Sequence, residues 1–244
     1  MKYFWLPLAF ILTTAFTAYS QTTTFMGRVT DQNTGLGIPD VAIVALGNQT
    51  GTRVAISDTQ GNYTLSMGAN NNIRVRAYRP NFVFNPLQVV FVSTGIPVSG
   101  SHVLHFTGSA LPFPIVIVAL EPILLTEDDS LKALSVESVY FQRDPFPLLN
   151  DTYSGNDKRT RIKLLLVDLD LFSGEPLSIV TAQAIDQSQI PHNLPVEDLR
   201  KVPGFPWLSQ LTVILPSDLV VPGQLTVSVT ARAKTSNSAT LRVQ

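Results

Sequence analysis

Between residues 21 and 108, short runs of β-branched and aromatic residues alternate with clusters of Asp, Asn, Gly and Thr every eight to twelve residues. That spacing predicts the strands of a sandwich or barrel, and no helical period competes with it. In the first run Phe25, Gly27 and Val29 share one face and Met26, Arg28 and Thr30 the other, because successive side chains of a strand alternate. The segment from Asp31 to Gly35 supplies turn chemistry. Residues 41–46 are six apolar residues in a row, which predicts a central strand buried on both faces. Residues 53–57 read as a strand, and Asp58-Thr59-Gln60-Gly61-Asn62 as the turn into Tyr63, Leu65 and Met67. In that turn Asp58 can accept backbone N–H groups, Gly61 can take the left-handed conformation and Tyr63 can close over the core. Further strands are expected at 73–78, 88–92 and 102–107.

The later part of the chain predicts strands at 137–142, 162–171, 177–185, 211–215, 225–233 and 240–243. Run 162–167 carries only Lys163 as a charge, the composition of a strand central in its sheet. Residues 151–160 form a polar loop expected to be mobile and to face solvent. Residues 196–201 read as one helical turn, with Pro195 near its start and Pro203 stopping it. Ser236-Asn237-Ser238 marks a hairpin. Between the two parts, Pro112, Pro114 and Pro122 surround the apolar run 115–120. An exposed tether would be polar, so this run is expected to pair as a strand and the two parts to pack against each other.

Three segments follow in order at close spacing: Gly27-Arg28-Val29-Thr30-Asp31, Gly37-Ile38-Pro39-Asp40-Val41 and Ser57-Asp58-Thr59-Gln60-Gly61-Asn62-Tyr63-Thr64. Together they resemble the carboxypeptidase regulatory-like domain, a prealbumin-like seven-stranded sandwich. The continuation Tyr78-Arg79-Pro80-Asn81-Phe82-Val83-Phe84-Asn85-Pro86 and the ending Leu104-His105-Phe106-Thr107-Gly108 look like the version found in large secreted bacterial proteins. Less specifically, the second half resembles immunoglobulin-like domains of the IPT/TIG kind. The residues that carry this second likeness are Arg143-Asp144-Pro145-Phe146-Pro147-Leu148, Arg159-Thr160-Arg161, Leu169-Asp170-Leu171, Val202-Pro203-Gly204-Phe205-Pro206-Trp207-Leu208 and Ser236-Asn237-Ser238. The expected fold class is therefore all-β, two antiparallel β-sandwich domains in series. The first, prealbumin-like, covers 21–110; a proline-rich junction covers 111–122; the second, immunoglobulin-like, covers 123–244.

Composition adds location. Met1 and Lys2 precede an uncharged apolar run, 4–18, that ends in Ala18-Tyr19-Ser20 before Gln21. This is the pattern of a secretory signal peptide over 1–20, and it is too short for a membrane span of roughly 20 apolar residues. A secreted or envelope protein is expected, with no membrane span once the signal is cleaved. There is no cysteine, so neither disulfides nor a lipid-modified Cys is available, and stability must come from apolar cores. No sorting motif or apolar tail is expected to anchor the end at Leu241-Arg242-Val243-Gln244. Residues 21–110 hold five Arg against three Asp, and residues 111–244 eleven basic against fifteen acidic groups. Neither part has the basic excess that phosphate backbones require, so nucleic acid is not an expected partner.

Candidate chemistry is thin. Of the three histidines, His102 and His105 fall on opposite faces of one expected strand, so they do not share a metal ion, and His192 stands alone. There is no Gly-x-Ser-x-Gly elbow and no His-Glu-x-x-His. In the carboxypeptidase family this sandwich accompanies a zinc catalytic domain that is absent here, so the resemblance implies an accessory or interaction role. Glu127-Asp128-Asp129 and the pair Asp168 and Asp170 are the oxygen clusters to weigh for calcium. The bland readings, a solvated loop and a strand end, are preferred. The same two aspartates are the carboxylates a hydrolase would need. Lys163 is the lysine to weigh for an isopeptide bond, but no pattern marks an Asn partner. Asn48, Asn62 and Asn150 fit the glycosylation acceptor pattern and, in a bacterial protein, are expected to be unmodified. A sugar platform could use Tyr78, Phe82, Phe84 and Trp207. The expectation is thus a non-enzymatic protein without cofactor or metal, presenting sandwich loops to an extracellular protein or polysaccharide. The alternative is a carbohydrate-binding module built on those four aromatics.

Overall fold

The computed structural model describes residues 21–111, 120–217, 219 and 223–244. The expected signal segment and the expected junction strand, apart from Leu120, lie outside the described residues. The first sandwich contains β1 (Thr22–Asp31), β2 (Ala42–Gly47), β3 (Gly51–Ile56), β4 (Asn62–Gly68), β5 (Asn72–Tyr78), β6 (Phe82–Asn85), β7 (Val89–Val92), β8 (Gly100–Val103) and β9 (Phe106–Ala110). One sheet runs β4-β1-β9-β6 with β8 also on β1, and the other runs β3-β2-β5-β7. Alternation fills the space between them: Phe25 and Val29 of β1 and Tyr63, Leu65 and Met67 of β4 point inward, against Ile43, Ile73, Phe84 and Phe106. The turn into β4 has the expected chemistry. Asp58 accepts the N–H groups of Gln60 and Asn62, both at 2.8 Å, Gly61 has φ 80°, and the Tyr63 hydroxyl donates to the Leu104 carbonyl at 2.7 Å.

The expected strand 102–107 is two strands instead. β1 pairs in parallel first with β8 and then with β9, and the change falls at Gly27. A Cβ there would lie 1.6 Å from the Leu104 carbonyl oxygen, so only glycine lets the two chains touch. At this break the Leu104 N–H donates to the Met26 carbonyl at 2.8 Å and the Arg28 N–H to the His105 ring at 3.2 Å.

The second sandwich contains β10 (Ile123–Leu124), β11 (Ser135–Glu137), β12 (Arg161–Val167), a 3-10 turn (Leu177–Ile179), β13 (Val180–Ile185), β14 (Pro191–Leu194), β15 (Val196–Val202), β16 (Phe205–Ile214), β17 (Gly223–Ala231), β18 (Lys234–Thr235) and β19 (Ala239–Val243). Its sheets run β10-β12-β16-β15, with β11 on β12, and β14-β13-β17-β18, with β19 on β17. Leu124, Phe146, Ile162, Leu164, Leu166, Leu211, Val227 and Leu241 are among the residues of its core.

Several expectations for this half are corrected. Residues 196–201 are strand β15, because pairing with β16 satisfies their backbone groups better than a single helical turn could. The strand expected over 137–142 ends at Glu137, whose carboxylate takes the N–H of Val139 at 3.0 Å and that of Tyr140 and so bends the chain. β12 ends at Val167 because Asp168 adopts φ 62°. Residues 177–179 are the 3-10 turn and lead into β13. The loop 151–160 is not wholly solvent-facing, since Tyr153 and Thr160 are buried.

A third apolar cluster joins the sandwiches. Ala42, Val44 and Val54 from the outer face of the β3-β2-β5-β7 sheet meet Ile123, Leu125, Leu165, Val167, Trp207 and Leu208 of the second sandwich. β2 is therefore apolar all round for a stated reason: Ile43 and Ala45 enter the first core, while Ala42 and Val44 enter this seam.

Candidate functional site

Four of the acidic residues singled out as candidate chemistry, Asp128, Asp129, Asp168 and Asp170, lie on the rim of the seam. On β5 the residues Arg74, Arg76 and Tyr78 lie two apart and so share one face, the face turned to the second sandwich. Arg74 pairs with Glu121 at 2.7 Å. Arg76 is 4% exposed at its side chain, lies 3.3 Å from Asp168 and donates to the Glu121 carbonyl at 3.0 Å. The Tyr78 hydroxyl donates to Asp170, and Lys201 of β15 pairs with the same carboxylate. At the opposite end of the seam Arg53 bonds both Asp128 and Asp129. Thus Asp128, Asp129, Asp168 and Asp170 each hold an arginine or tyrosine across the domain boundary, and among the described residues no group of three His, Asp or Glu is placed to hold a metal ion.

Burial shapes the electrostatics of this rim. It pushes the Asp168 carboxyl up to about 6, against the pull of the Arg76 guanidinium, because removing a carboxylate from water disfavours its charge. Burial also raises the Tyr78 phenol, helped by Asp170 beside it, so the hydroxyl stays protonated and works as a donor. Asp168 and Asp170 also line a cleft of about 100 Å³ with Tyr78, Arg79, Phe82 and Arg232. That is well below the roughly 300–1,000 Å³ of small-molecule sites.

The four aromatics weighed as a sugar platform are divided among different environments. Tyr78 and Trp207 pack against the seam cluster, and Phe84 is 4% exposed in the first core. Phe82 stacks on Phe84 with ring centres 6.0 Å apart and carries the Arg79 guanidinium 5.0 Å from its ring centre. Trp207 meets Phe205 edge-on at 6.0 Å. The histidines are also dispersed. His102 packs on the rings of Phe25 and Phe91, His105 accepts the Arg28 N–H, and His192 lies 3.0 Å from Asp186. Lys163 sits 4.6 Å over the ring of Phe141. Asn62 donates to Asp58 at 3.3 Å, and Asn150 accepts the Thr152 N–H at 3.1 Å.

Sequence reasoning missed the seam partners. The alternation of Arg74, Arg76 and Tyr78 along one strand was the available signal, since three long polar side chains on one face of a central strand need partners. It also missed Asn237, whose side-chain amide acts as a strand neighbour for Leu124, accepting its N–H at 2.9 Å and donating to its carbonyl at 3.0 Å.

No protein-family model matches the chain, and no curated protein matches it. Among solved structures it is similar to the Bacillus anthracis TIE protein, with a TM-score of 0.29 and 8% identity over 92% of this chain and 32% of that one. It is also similar to BcpA, the major pilin subunit of Bacillus cereus, with a TM-score of 0.29 and 9% identity over 92% of this chain and 70% of that one. For domains 5-6 of the S-layer protein SbsC the TM-score is 0.24, with 14% identity over 92% of this chain and 89% of that one. The chain spans about a third of the length of the TIE protein. Similarity at this level assigns neither partner nor activity. Among the described residues no helix is long and apolar enough to cross a membrane.

Proposed function

We propose that this chain is a non-enzymatic protein of the secreted or envelope compartment, in which two sandwiches fixed to one another present their loops to an extracellular protein or polysaccharide. The observation that carries the reading is the use made of Asp168 and Asp170. The two carboxylates best suited to hydrolysis are spent on cross-domain contacts with Arg76 and Tyr78, and Asp170 is held further by Lys201 of its own sandwich. A general acid must be free to reach its substrate, and these two are held by the fold. The resemblances to the carboxypeptidase regulatory-like domain and to IPT/TIG immunoglobulin-like domains support an accessory role, and the apolar segment 4–18 supports export.

Thermal unfolding tests the architecture, and a substrate panel tests the chemistry. The exported protein is expected to melt in one cooperative transition, which Asp168→Ala with Asp170→Ala lowers or splits. It is expected to show no turnover of glycoside, ester or peptide substrates. Two independent transitions in the unaltered protein, or turnover abolished by Asp168→Asn, would overturn the reading.

A further inference from the structure

A second feature lies on the second sandwich, away from the rim residues just described. After β11 the chain turns through Ser138-Val139-Tyr140-Phe141, and the last three are 52%, 53% and 64% exposed. Three large apolar side chains in water are unfavourable, yet the turn is held in place from beneath. The Glu137 carboxylate, 1% exposed as a residue, accepts the N–H of Val139 at 3.0 Å and that of Tyr140. The buried Tyr153 donates its hydroxyl to the same carboxylate and accepts the Arg161 N–H at 3.2 Å. Phe141 has φ 56°, a conformation costly for a bulky residue and kept only where the surrounding structure holds it. The Lys163 ammonium lies 4.6 Å from its ring centre, which fixes the ring through cation–π attraction.

Beside this tip runs a groove lined by Val139, Thr152, Ser154, Asn156, Asp157 and Arg161. Its walls offer the Ser154 hydroxyl and the Asn156 amide next to an apolar edge, while the Asp157 carboxylate and the Arg161 guanidinium pair with Arg159, with Glu197 and with each other and keep the wall in place. A sugar ring matches that combination, because it has apolar C–H faces that stack on aromatic side chains and hydroxyl edges that hydrogen-bond. A protein partner would instead need a desolvated apolar patch around the tip, whereas the flank here is polar.

We propose that this tip and groove form a polysaccharide-binding site, with Tyr140 and Phe141 stacking on the sugar and Ser154 and Asn156 bonding its hydroxyls. The proposal rests on the loop-presenting reading above and names its partner class. It places sugar recognition at Tyr140 and Phe141, not at Tyr78, Phe82, Phe84 and Trp207.

The test is calorimetric titration of the exported protein with cellohexaose, chitohexaose, xylohexaose and mannohexaose. At least one is expected to bind saturably. Tyr140→Ala with Phe141→Ala should weaken that binding at least tenfold, Asn156→Ala should weaken it several-fold, and Phe82→Ala should leave it unchanged. The Tyr140, Phe141 and Asn156 variants should keep the parent's circular dichroism spectrum, because those side chains are not in either core. Absence of binding to every probe at millimolar concentration overturns the proposal, as does binding that survives the double substitution. Either failure leaves the scaffold reading standing if the single melting transition and absence of turnover hold, so the two readings fail separately.

Discussion

Thr52 and Thr126 satisfy each other's backbone across the domain boundary: each hydroxyl oxygen accepts the other's N–H at 2.8 Å. Both residues are buried, so neither N–H has water as a substitute. Thr52→Val removes the acceptor of the Thr126 N–H, and Thr126→Val does the converse. Leaving one buried donor unpaired costs about 1–3 kcal/mol, which for a chain of this size lowers Tm by about 2–4 °C per kcal/mol. Thr64→Val, on the exposed face of β4, should shift stability by less than about 0.5 kcal/mol. Scanning calorimetry of the three variants checks this, and an equal effect at all three sites would contradict it.

Gly51 lies at the same junction. It has φ 70°, and a Cβ there would sit 2.0 Å from the Ser130 carbonyl oxygen and 2.1 Å from the Thr126 hydroxyl. Gly51→Ala must therefore push the two sandwiches apart as well as strain the backbone. Gly95 has φ 110° but nothing within 4 Å of its added Cβ, so Gly95→Ala carries only the backbone cost. Gly51→Ala is expected to destabilise by several kcal/mol and clearly more than Gly95→Ala, since it combines strain with overpacking. Urea denaturation of both variants measures the difference.

Asp168 gives the seam a pH dependence whose sign follows from burial. Its carboxyl is raised to about 6 from an ordinary 3.8, so the folded state holds the proton more readily than the unfolded state. The group's relative stabilisation is complete below the unfolded value and is lost as pH rises through about 6. Asp168→Asn cannot titrate. The stability of the unaltered protein relative to this variant should fall by about 1 kcal/mol between pH 5 and pH 7.5. Equilibrium unfolding at the two pH values tests it, and a constant difference would show that Arg76 outweighs burial.

Much of the first sandwich was legible because its signals are local. Asp58, Gly61 and Tyr63 lie within six residues, and the apolar run 41–46 declares burial on both faces without saying what covers the outer one. What covers it comes from Ile123, Leu125 and Trp207, far along the chain, and no local pattern encodes that match. β15 was misread for a physical reason: Glu197-Asp198-Leu199-Arg200-Lys201 favours a helix locally, but an edge strand also tolerates charges, which discourage pairing with other chains. Glu137 ended its strand early through side-chain capture of two N–H groups, an interaction that competes with sheet pairing. The aspartates were visible as candidates, but their partners were not. Tyr78 and Asp170 are 92 residues apart, so only the fold reveals that these carboxylates hold the domains together.

The edge strand β7 lacks the protection that β15 has. It closes the β3-β2-β5-β7 sheet with the sequence Val89-Val90-Phe91-Val92. Phe91 packs against the first core, while Val90 and Val92 are 49% and 68% exposed. Among the described residues no strand pairs with its outer side; an uncharged, β-branched edge of this kind is a template for pairing with another chain, and a lysine on its solvent face opposes that through charge repulsion and hydration. Val92→Lys should therefore leave Tm within about 1 °C, because it removes no core contact, while slowing self-association at high concentration. Light scattering on incubation just below Tm follows the process directly. Association at the parent's rate would show that β7 is not the edge through which chains pair, and a large fall in Tm would show that Val92 contributes packing its exposure does not reveal.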